Sequence, residues 1–442
     1  MSKKIELDIP EFVSFILKRL KDAGHQAFVV GGAVRDSCLK RPTLDWDVVT
    51  SAIPQEIGEV FKDTHHFFQK HGTVTLVNSG NHFEVTPFRG KKQSLIEDLS
   101  LRDFTINAMA FDPEADKIID PLAGMGDISK RLIRAVRDPE ARFREDPLRL
   151  LRAVRFSTEL GFHIEKRTLN SLSLEAQLLN SVAPERIREE LMKILMSRKP
   201  STGFNLMVRT GLLRHFLPEL LEGYLKRQNT YYHRYTIFKH IMETVDKVAP
   251  DPVLRLTALL HDIAKPRVRK KIEGVWRFYG HEQESSVLAT EIMDRLKFNK
   301  EMTRKVTSLI RHHMIAYDTG WSDAAVRRLV RRVGPEYIPD FTVFVQADII
   351  AHGTNNKDLN LIKDLMKRIE NQVKGHMARN TRDLALDGHE IMKILGLPPG
   401  PAVGRTMENL LEKITDHPEL NTREALLGLL EERKRKKSDR LA

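Results

Sequence analysis

The sequence predicts an α+β protein, with strands first and helices after. Three observations carry this. Short apolar runs of strand character, Phe28 to Val30, Gly72 to Asn78 (GTVTLVN) and His82 to Phe88 (HFEVTPF), gather near the N-terminus. From Arg142 onward apolar residues recur at helical spacing almost to the end. A chain of 442 residues with 41% hydrophobic and 30% charged residues can bury a real core and has room for roughly two to four domains.

The first helix is expected over residues 9 to 24, with Phe12, Phe15, Ile16 and Leu20 at helical spacing and Gly24 ending it. The strand Phe28 to Val30 follows and Gly31-Gly32 breaks it. Ala33 to Lys40 reads as a short helix and Leu44 to Val49 as a second strand. Alternation projects Asp45 and Asp47 from one side of that strand. Two close carboxylates repel, and a bound cation is the usual remedy. Mg²⁺ takes one or two protein carboxylates and fills its shell with phosphate and water oxygens. Gly31 and Gly32 let backbone N–H groups approach an anion at a helix start. A phosphate cradle beside a metal pair suggests transfer of a nucleotidyl group. A solvated acidic turn behind a structural Gly-Gly is the other reading.

Ser79-Gly80-Asn81 supplies the turn between the next two strands, and Glu84 on the second is a candidate third carboxylate or a sheet-surface charge. Residues 101 to 113 (LRDFTINAMAFDP) form a helix-like run. Its Arg102 suits triphosphate oxygens, because a guanidinium binds phosphate bidentately and stays charged; a surface pair with Asp103 is the alternative. Asp120-Pro121 and Gly124 make a turn-rich connection. The run REDPLRLLRAVRF, 144 to 156, sets Asp146 and Arg149 as helix neighbours. Arg149, Arg152 and Arg155 trace a basic stripe, and Leu148, Leu151 and Val154 an apolar one suited to a core. The basic stripe is either a salt-bridged solvent face or something sharper. Asp accepts from a base amino group while Arg donates to ring nitrogen or carbonyl oxygen, so such a pair can mimic a Watson–Crick edge without a template. Residues 181 to 196 give another helix, and 226 to 236 (KRQNTYYHRYT) a linker or exposed loop whose tyrosines could stack on nucleotides.

A second constellation follows. His240 sits on a helix, His261 and Asp262 are adjacent in LTALLHDIAKP, His281 opens HEQES, His312 and His313 lie in IRHHM, and Asp348 in VQADIIAH. Imidazole nitrogen and carboxylate oxygen suit a divalent transition metal. From Thr381, Gly-Pro punctuation separates two amphipathic helices, and ERKRKKSDR reads as a frayed, solvated tail or a contact for RNA phosphates. A net charge of +12 suggests an anionic partner, nucleic acid being the commonest. The single cysteine, Cys38, excludes an intrachain disulfide and a Cys-rich zinc site. No apolar run reaches the ~18 residues that would span a membrane. The N-terminus does not look like a signal peptide, so a cytoplasmic protein is expected.

Taken together, the motifs resemble the class II tRNA nucleotidyltransferases, the CCA-adding enzymes and their poly(A) polymerase relatives. The matching runs are GGAVRD (31–36), the Asp45-Trp46-Asp47 pair, RDFTINAMA (102–110), DPLAG (120–124), EDPLRLLRAVRF (145–156) and the Pro184-Glu185-Arg186 helix. The second half resembles the HD domain that some bacterial members carry. The resemblance implies a polymerase-β-like nucleotidyltransferase head with a mixed sheet (1–140), a helical neck that recognises the base (141–225), a helical HD body (226–378) and a helical tail (379–442). It implies addition of CMP and AMP from CTP and ATP to a tRNA 3′ end, with release of pyrophosphate. By the family pattern Asp45 and Asp47 hold Mg²⁺, joined by Glu84 if a third carboxylate serves. Gly32, Arg35 and Arg102 hold the triphosphate, Asp146 and Arg149 read the base, and Arg152 and Arg155 line the same pocket. In the HD body His240, His261, Asp262 and Asp348 match a site for a second divalent metal, with His281 and either His312 or His313 able to support another.

One departure is informative. The interval between the TPFR strand and RDFTINA is GKKQSLIEDLSL, shorter than in members that complete CCA. The chain is then closer to members that add only the two C residues and leave A to a partner enzyme. Neither is the basic signature of proteobacterial poly(A) polymerases evident. Two other function classes stay open: an HD metal-dependent phosphohydrolase whose head only binds nucleotides, and a noncatalytic RNA-binding protein.

Overall fold

The computed structural model describes residues 7–43, 45–69, 72–228, 234–353, 357–374 and 377–438, and the chain divides into two compact units, Met1–Phe216 and Leu217–Ala442. The first unit is built on a seven-stranded sheet. Its strands are β1 (Ala27–Val30), β2 (Asp47–Thr50), β3 (His66–Phe68), β4 (Val74–Asn78), β5 (Asn81–Pro87), β6 (Ala110–Asp112) and β7 (Lys117–Ile119). Their order in space is β3-β4-β5-β2-β1-β6-β7. β2 and β5 run parallel and the other neighbours antiparallel, so the sheet is mixed, as expected. The β4–β5 turn is legible in its residues. Ser79 and Gly80 both take positive φ (50° and 80°), the twist a two-residue hairpin loop needs, and Asn78 pairs with Asn81. Val30, Val49, Phe88, Leu95, Leu99 and Ala110 form one buried apolar cluster.

The first helix, Glu11–Asp22, turns Val13, Ile16, Leu17 and Leu20 inward, one step round from the expected face, and leaves Phe15 39% exposed. Three expected boundaries are corrected, each for a local reason. The run 101–113 is not a helix. The helix lies earlier, at Leu95–Ser100, and Asp103 then takes the Phe104 amide at 2.8 Å, diverting the chain into a 3₁₀ turn, Thr105–Asn107, and on to β6. The helix expected over 144–156 is broken in two, Pro139–Glu145 and Leu148–Leu160, because Pro147 pushes Asp146 into an extended conformation. The second strand begins at Asp47, so Asp45 lies just ahead of it; Leu44 lies outside the described residues.

Among its described residues the second unit is helical apart from a short ribbon, Lys270–Ile272 with Val275–Arg277. Helices Ile237–Lys247, Pro252–Leu260, His281–Arg295, Lys300–His312 and Ile338–Ala351 pack against one another. Nearer the C-terminus Gly388–Leu395, Pro401–Asp416 and Arg423–Ser438 share a core that includes Ile391, Leu411, Ile414 and Leu426. The basic terminal run therefore continues a helix as far as Ser438 instead of fraying from its start. The paired tyrosines of the expected linker, Tyr231 and Tyr232, lie outside the described residues. Among the described residues no helix is long and apolar enough to cross a membrane.

Candidate active site

Strand register assembles the first part of the site. Val30, the last residue of β1, pairs with Asp47, the first of β2, so the Gly31-Gly32 turn emerges beside that carboxylate. Gly31 adopts φ +72°, and a Cβ there would stand 2.9 Å from Arg102 Nη1. Only glycine satisfies both demands. The Gly31 amide is already spent on Met109 O at 3.1 Å, which ties the turn to the chain entering β6.

Arg102 is fixed from behind. Its Nε donates to Asp98 Oδ2 at 3.1 Å, and Asp98 has no solvent exposure. The same carboxylate accepts from the Arg89 backbone amide at 3.2 Å, and the Arg89 side chain lies 3.8 Å away. Asp103 does not pair with Arg102; Arg152 claims it instead. Burial raises the Asp47 pKa against the pull of Arg102, and the charge of Asp45 pushes it further up. Glu84 is also raised, by burial first and then by Asp47 and Asp45, so it lies within the field of the pair although it does not line the cleft that Asp45 and Asp47 line.

That cleft, about 1080 Å³, is lined by Gly31, Gly32, Arg35, Arg102 and both aspartates. Asp146, Arg149, Arg152 and Arg155 line it as well. Every expected nucleotide-binding residue therefore faces one cavity, whose size lies at the top of the roughly 300–1,000 Å³ usual for small-molecule sites. Arg35 is largely engaged inside the protein: Nε and Nη2 fork onto Asp36 at 3.0 and 2.7 Å, and Nη1 donates to Asn107 Oδ1 at 2.7 Å. Asp146 accepts the Leu148 amide at 3.2 Å and both Nη groups of Arg186 at 3.1 Å. Arg149 donates to Arg142 O and Leu101 O. Arg155 donates to Glu190 at 3.1 Å. The guanidinium groups of Arg35, Arg152 and Arg155 surround the Phe156 ring at 5.0, 5.3 and 4.2 Å.

Several supporting residues escaped the sequence reading. Asp98 was visible in principle, four residues before Arg102 at helix-pair spacing. Asn107 stands inside the quoted RDFTINA run, but its partners Arg35 and Asp103 show only in three dimensions. Glu190 meets Arg155 across 35 residues of sequence, and no local pattern marks such a pair.

The second unit gathers the other constellation. His240 Nε2 lies 3.0 Å from Asp348 and 3.3 Å from Asp262, and His261 Nε2 lies 3.2 Å from each. Asp262 also reaches His281 Nε2 at 3.3 Å and His313 Nε2 at 3.7 Å. His313, not His312, is the inward member of its pair; His312 lines a separate cleft with Arg311 and Trp321. His352, not foreseen, stands one turn after Asp348 at 3.8 Å. The outer nitrogens are committed to backbone: Nδ1 of His261, His281 and His313 meets the carbonyls of Ala258, Phe278 and Ile310 at 2.9, 2.8 and 2.6 Å. That arrangement leaves each Nε2 aimed at the centre.

Two tests support a cation there. Asp262 Oδ1, Asp348 Oδ1 and His281 Nε2 are buried without a directed hydrogen bond, while Asp262 Oδ2 has the Lys265 ammonium at 2.6 Å. Burial opposes charge on His261, yet Asp262 and Asp348 raise its pKa to about 10, whereas burial and the neighbouring His261 and His281 push His313 down to about 3, so the two carboxylates draw positive charge toward His261. Its ligand atoms form three groups, each within 4.8 Å: His240/Asp348/His352, His240/His261/Asp262 and Asp262/His281/His313.

The chain is similar to known proteins over most of its length. The chain matches the poly A polymerase head domain over residues 27–134, the probable RNA and SrmB binding site of polymerase A over 161–223, and domain 2 of tRNA nucleotidyltransferases over 271–430. The CCA-adding enzyme of Lactobacillus johnsonii is 32% identical over 416 residues, 91% of this chain and 92% of the relative. That of Bacillus velezensis is 44% identical over 223 residues, 47% of this chain and 56% of the relative. A crystal structure of the Bacillus stearothermophilus CCA-adding enzyme in complex with CTP is 26% identical and covers 100% of both chains at a TM-score of 0.73. The Thermotoga maritima CCA-adding enzyme complexed with tRNA, 22% identical with 96% of each chain covered, shares the fold at a TM-score of 0.56. With likeness running over nine-tenths of its length, the chain belongs to the family of CCA-adding enzymes, template-independent tRNA nucleotidyltransferases.

Proposed function

We propose that the cleft of the first unit adds CMP from CTP to the 3′ end of a tRNA, releasing pyrophosphate, and that CC addition is its product. One observation carries the nucleotide reading: carboxylate pair, Gly-Gly turn, Arg102 and the Asp146–Arg155 segment all line a single cavity. Asp45 and Asp47 would hold Mg²⁺, with Glu84 nearby in the same field. The donor set fits a hard cation, since the carboxylate Asp47 is raised by burial and by its neighbour's charge. Bound there, the metal would activate the RNA 3′ hydroxyl and stabilise the departing pyrophosphate. Gly32, Arg35 and Arg102 would hold the triphosphate. Asp146 and Arg149 would read the base, with Arg152 and Arg155 on the same wall.

The short interval before RDFTINA favours CC addition. Residues 95–100 of it are taken up by a helix, which leaves little free chain. Full CCA addition, with ATP as second substrate, is the second reading, and the names of the relatives favour it. Incubation with CTP, ATP, Mg²⁺ and a tRNA lacking its 3′ CCA decides between them by counting nucleotides. Two additions support CC addition, with a partner enzyme left to add A, and three support full CCA addition. No extension, with Asp45→Ala indistinguishable from wild type, would sink both and leave a noncatalytic RNA-binding role.

In the second unit we propose an HD centre in which His240, His261, Asp262 and Asp348 hold a divalent transition metal, with His281 and His313 able to serve another. Its orphaned buried atoms support this. A phosphohydrolase activity is the reaction that such a centre could supply. Metal content of the purified full chain, and phosphate release from a cyclic-phosphate substrate, would both fall in Asp262→Ala. The four-part division at 140, 225 and 378 and a cytoplasmic location complete the proposal.

A further inference from the structure

Between the two halves of the cleft runs a chain of directed contacts. Asp36 holds Arg35 by a fork; Arg35 Nη1 donates to Asn107 Oδ1 at 2.7 Å; Asn107 Nδ2 donates to Asp103 Oδ1 at 3.0 Å; and Asp103 Oδ2 accepts from Arg152 Nε at 2.8 Å. Arg35 comes from the helix after the Gly-Gly turn, Asn107 and Asp103 from the segment around the 3₁₀ turn, and Arg152 from the helix Leu148–Leu160. Arg35, Asn107 and Asp103 are each more than nine-tenths buried. A primary amide can accept from a guanidinium with its oxygen and donate to a carboxylate with its nitrogen. Hydrogen bonding to Arg35 and Asp103 also fixes which way the amide is turned.

We infer that Asn107 is a positioning residue that couples Arg35, beside the Gly-Gly turn, to Arg152 on the helix Leu148–Leu160, so that the triphosphate and base parts of the nucleotide site are held in register. The inference rests on the cleft being the nucleotide site. Asp36 would still hold Arg35, and Phe104 and Arg152 would still hold Asp103, if the amide were removed. Its loss therefore breaks the link while leaving both ends anchored.

A double-mutant cycle tests this on the full-length protein. Arg35→Ala, Arg152→Ala and the double variant are compared by kcat/KM for CTP with a tRNA substrate, first with Asn107 and then with Asn107→Ala. With Asn107 present, the loss in the double variant should be at least about tenfold smaller than the product of the single losses. In the Asn107→Ala background the losses should multiply to within about twofold, the ordinary limit of independence. Asn107→Ser replaces Asn107→Ala if the latter melts early, since one hydroxyl offers a shorter reach and cannot span both partners. Independent losses with Asn107 present would overturn the inference. So would coupling that survives its removal, which would place the link in the Phe156 ring that both arginines approach, or in the nucleotide itself. If neither single arginine variant changes the KM for CTP, it is the nucleotide-site reading that fails, and the two failures are told apart.

Discussion

Asp98 is fully buried, yet it carries a charge that Arg102 balances at 3.1 Å. Removing one member of a buried pair leaves the other uncompensated, which costs about 3–5 kcal/mol. Asp98→Ala should therefore lower unfolding free energy by about 3 kcal/mol in a denaturant titration and raise the KM for CTP, since Arg102 loses its anchor. An unchanged KM would separate Arg102 from triphosphate binding. Asp103 offers a pH test. Burial would raise its carboxyl, but Arg152 and hydrogen bonds from Asn107 and the Phe104 amide hold it down at about 2. The folded value lies below the roughly 3.9 of an unfolded Asp, so its stabilisation is complete above that pH and is lost as pH falls toward 2. The contribution is about 2.5 kcal/mol. The stability gap between wild type and Asp103→Asn should be wide at pH 6 and markedly narrower at pH 3. A gap that stays constant would deny Asp103 its depressed pKa.

Elements place these residues, and here the sequence was legible in part. The β1–β2 register and the β4–β5 hairpin follow from short-range signals, strand alternation and the Ser79-Gly80 turn. The 101–113 run misled because its periodicity is helical while Asp103 redirects the backbone by a local hydrogen bond. Asp146 and Arg149 both line the cleft, but they are not neighbours on one helix as their spacing suggested. Pro147 was the readable signal, for a residue ahead of proline resists the helical region. That break has a purpose that can be tested. Pro147→Ala should let Asp146 relax toward helix, pulling its carboxylate away from the Leu148 amide and Arg186. Selection for CTP over GTP, measured as a ratio of kcat/KM, should fall about tenfold, worth ~1.4 kcal/mol of discrimination. Arg149→Ala should do likewise, with tRNA affinity little changed in both. Weakened tRNA binding with nucleotide choice intact would make this stretch an RNA contact instead.

At the scale of the whole molecule, composition indicated an anionic partner and motif order indicated two centres, while the pairs that brace those centres stayed hidden. Arg155 with Glu190 and Asp103 with Arg152 join residues 35 and 49 apart, and such pairing depends on how helices and sheet come together. The histidine cluster was easier to read because its members are rare residue types at punctuated helix positions, and the structure added only His352 and the choice of His313. The net charge of +12 leads to a last prediction. A long polyanion such as tRNA is held by many exposed cations, and each phosphate neutralised releases condensed counterions. Affinity therefore falls steeply as salt rises, by roughly 10³–10⁵ between 50 and 200 mM for six to ten phosphate contacts. In the proposed site CTP would enter a cleft whose cations are largely buried, where screening is weaker. Over that range the Kd for tRNA should rise at least about a hundredfold, while the KM for CTP rises less than about tenfold. Parallel dependence on salt would mean that the basic residues outside the cleft contribute little to holding tRNA, and that the excess charge of this chain serves something other than its RNA substrate.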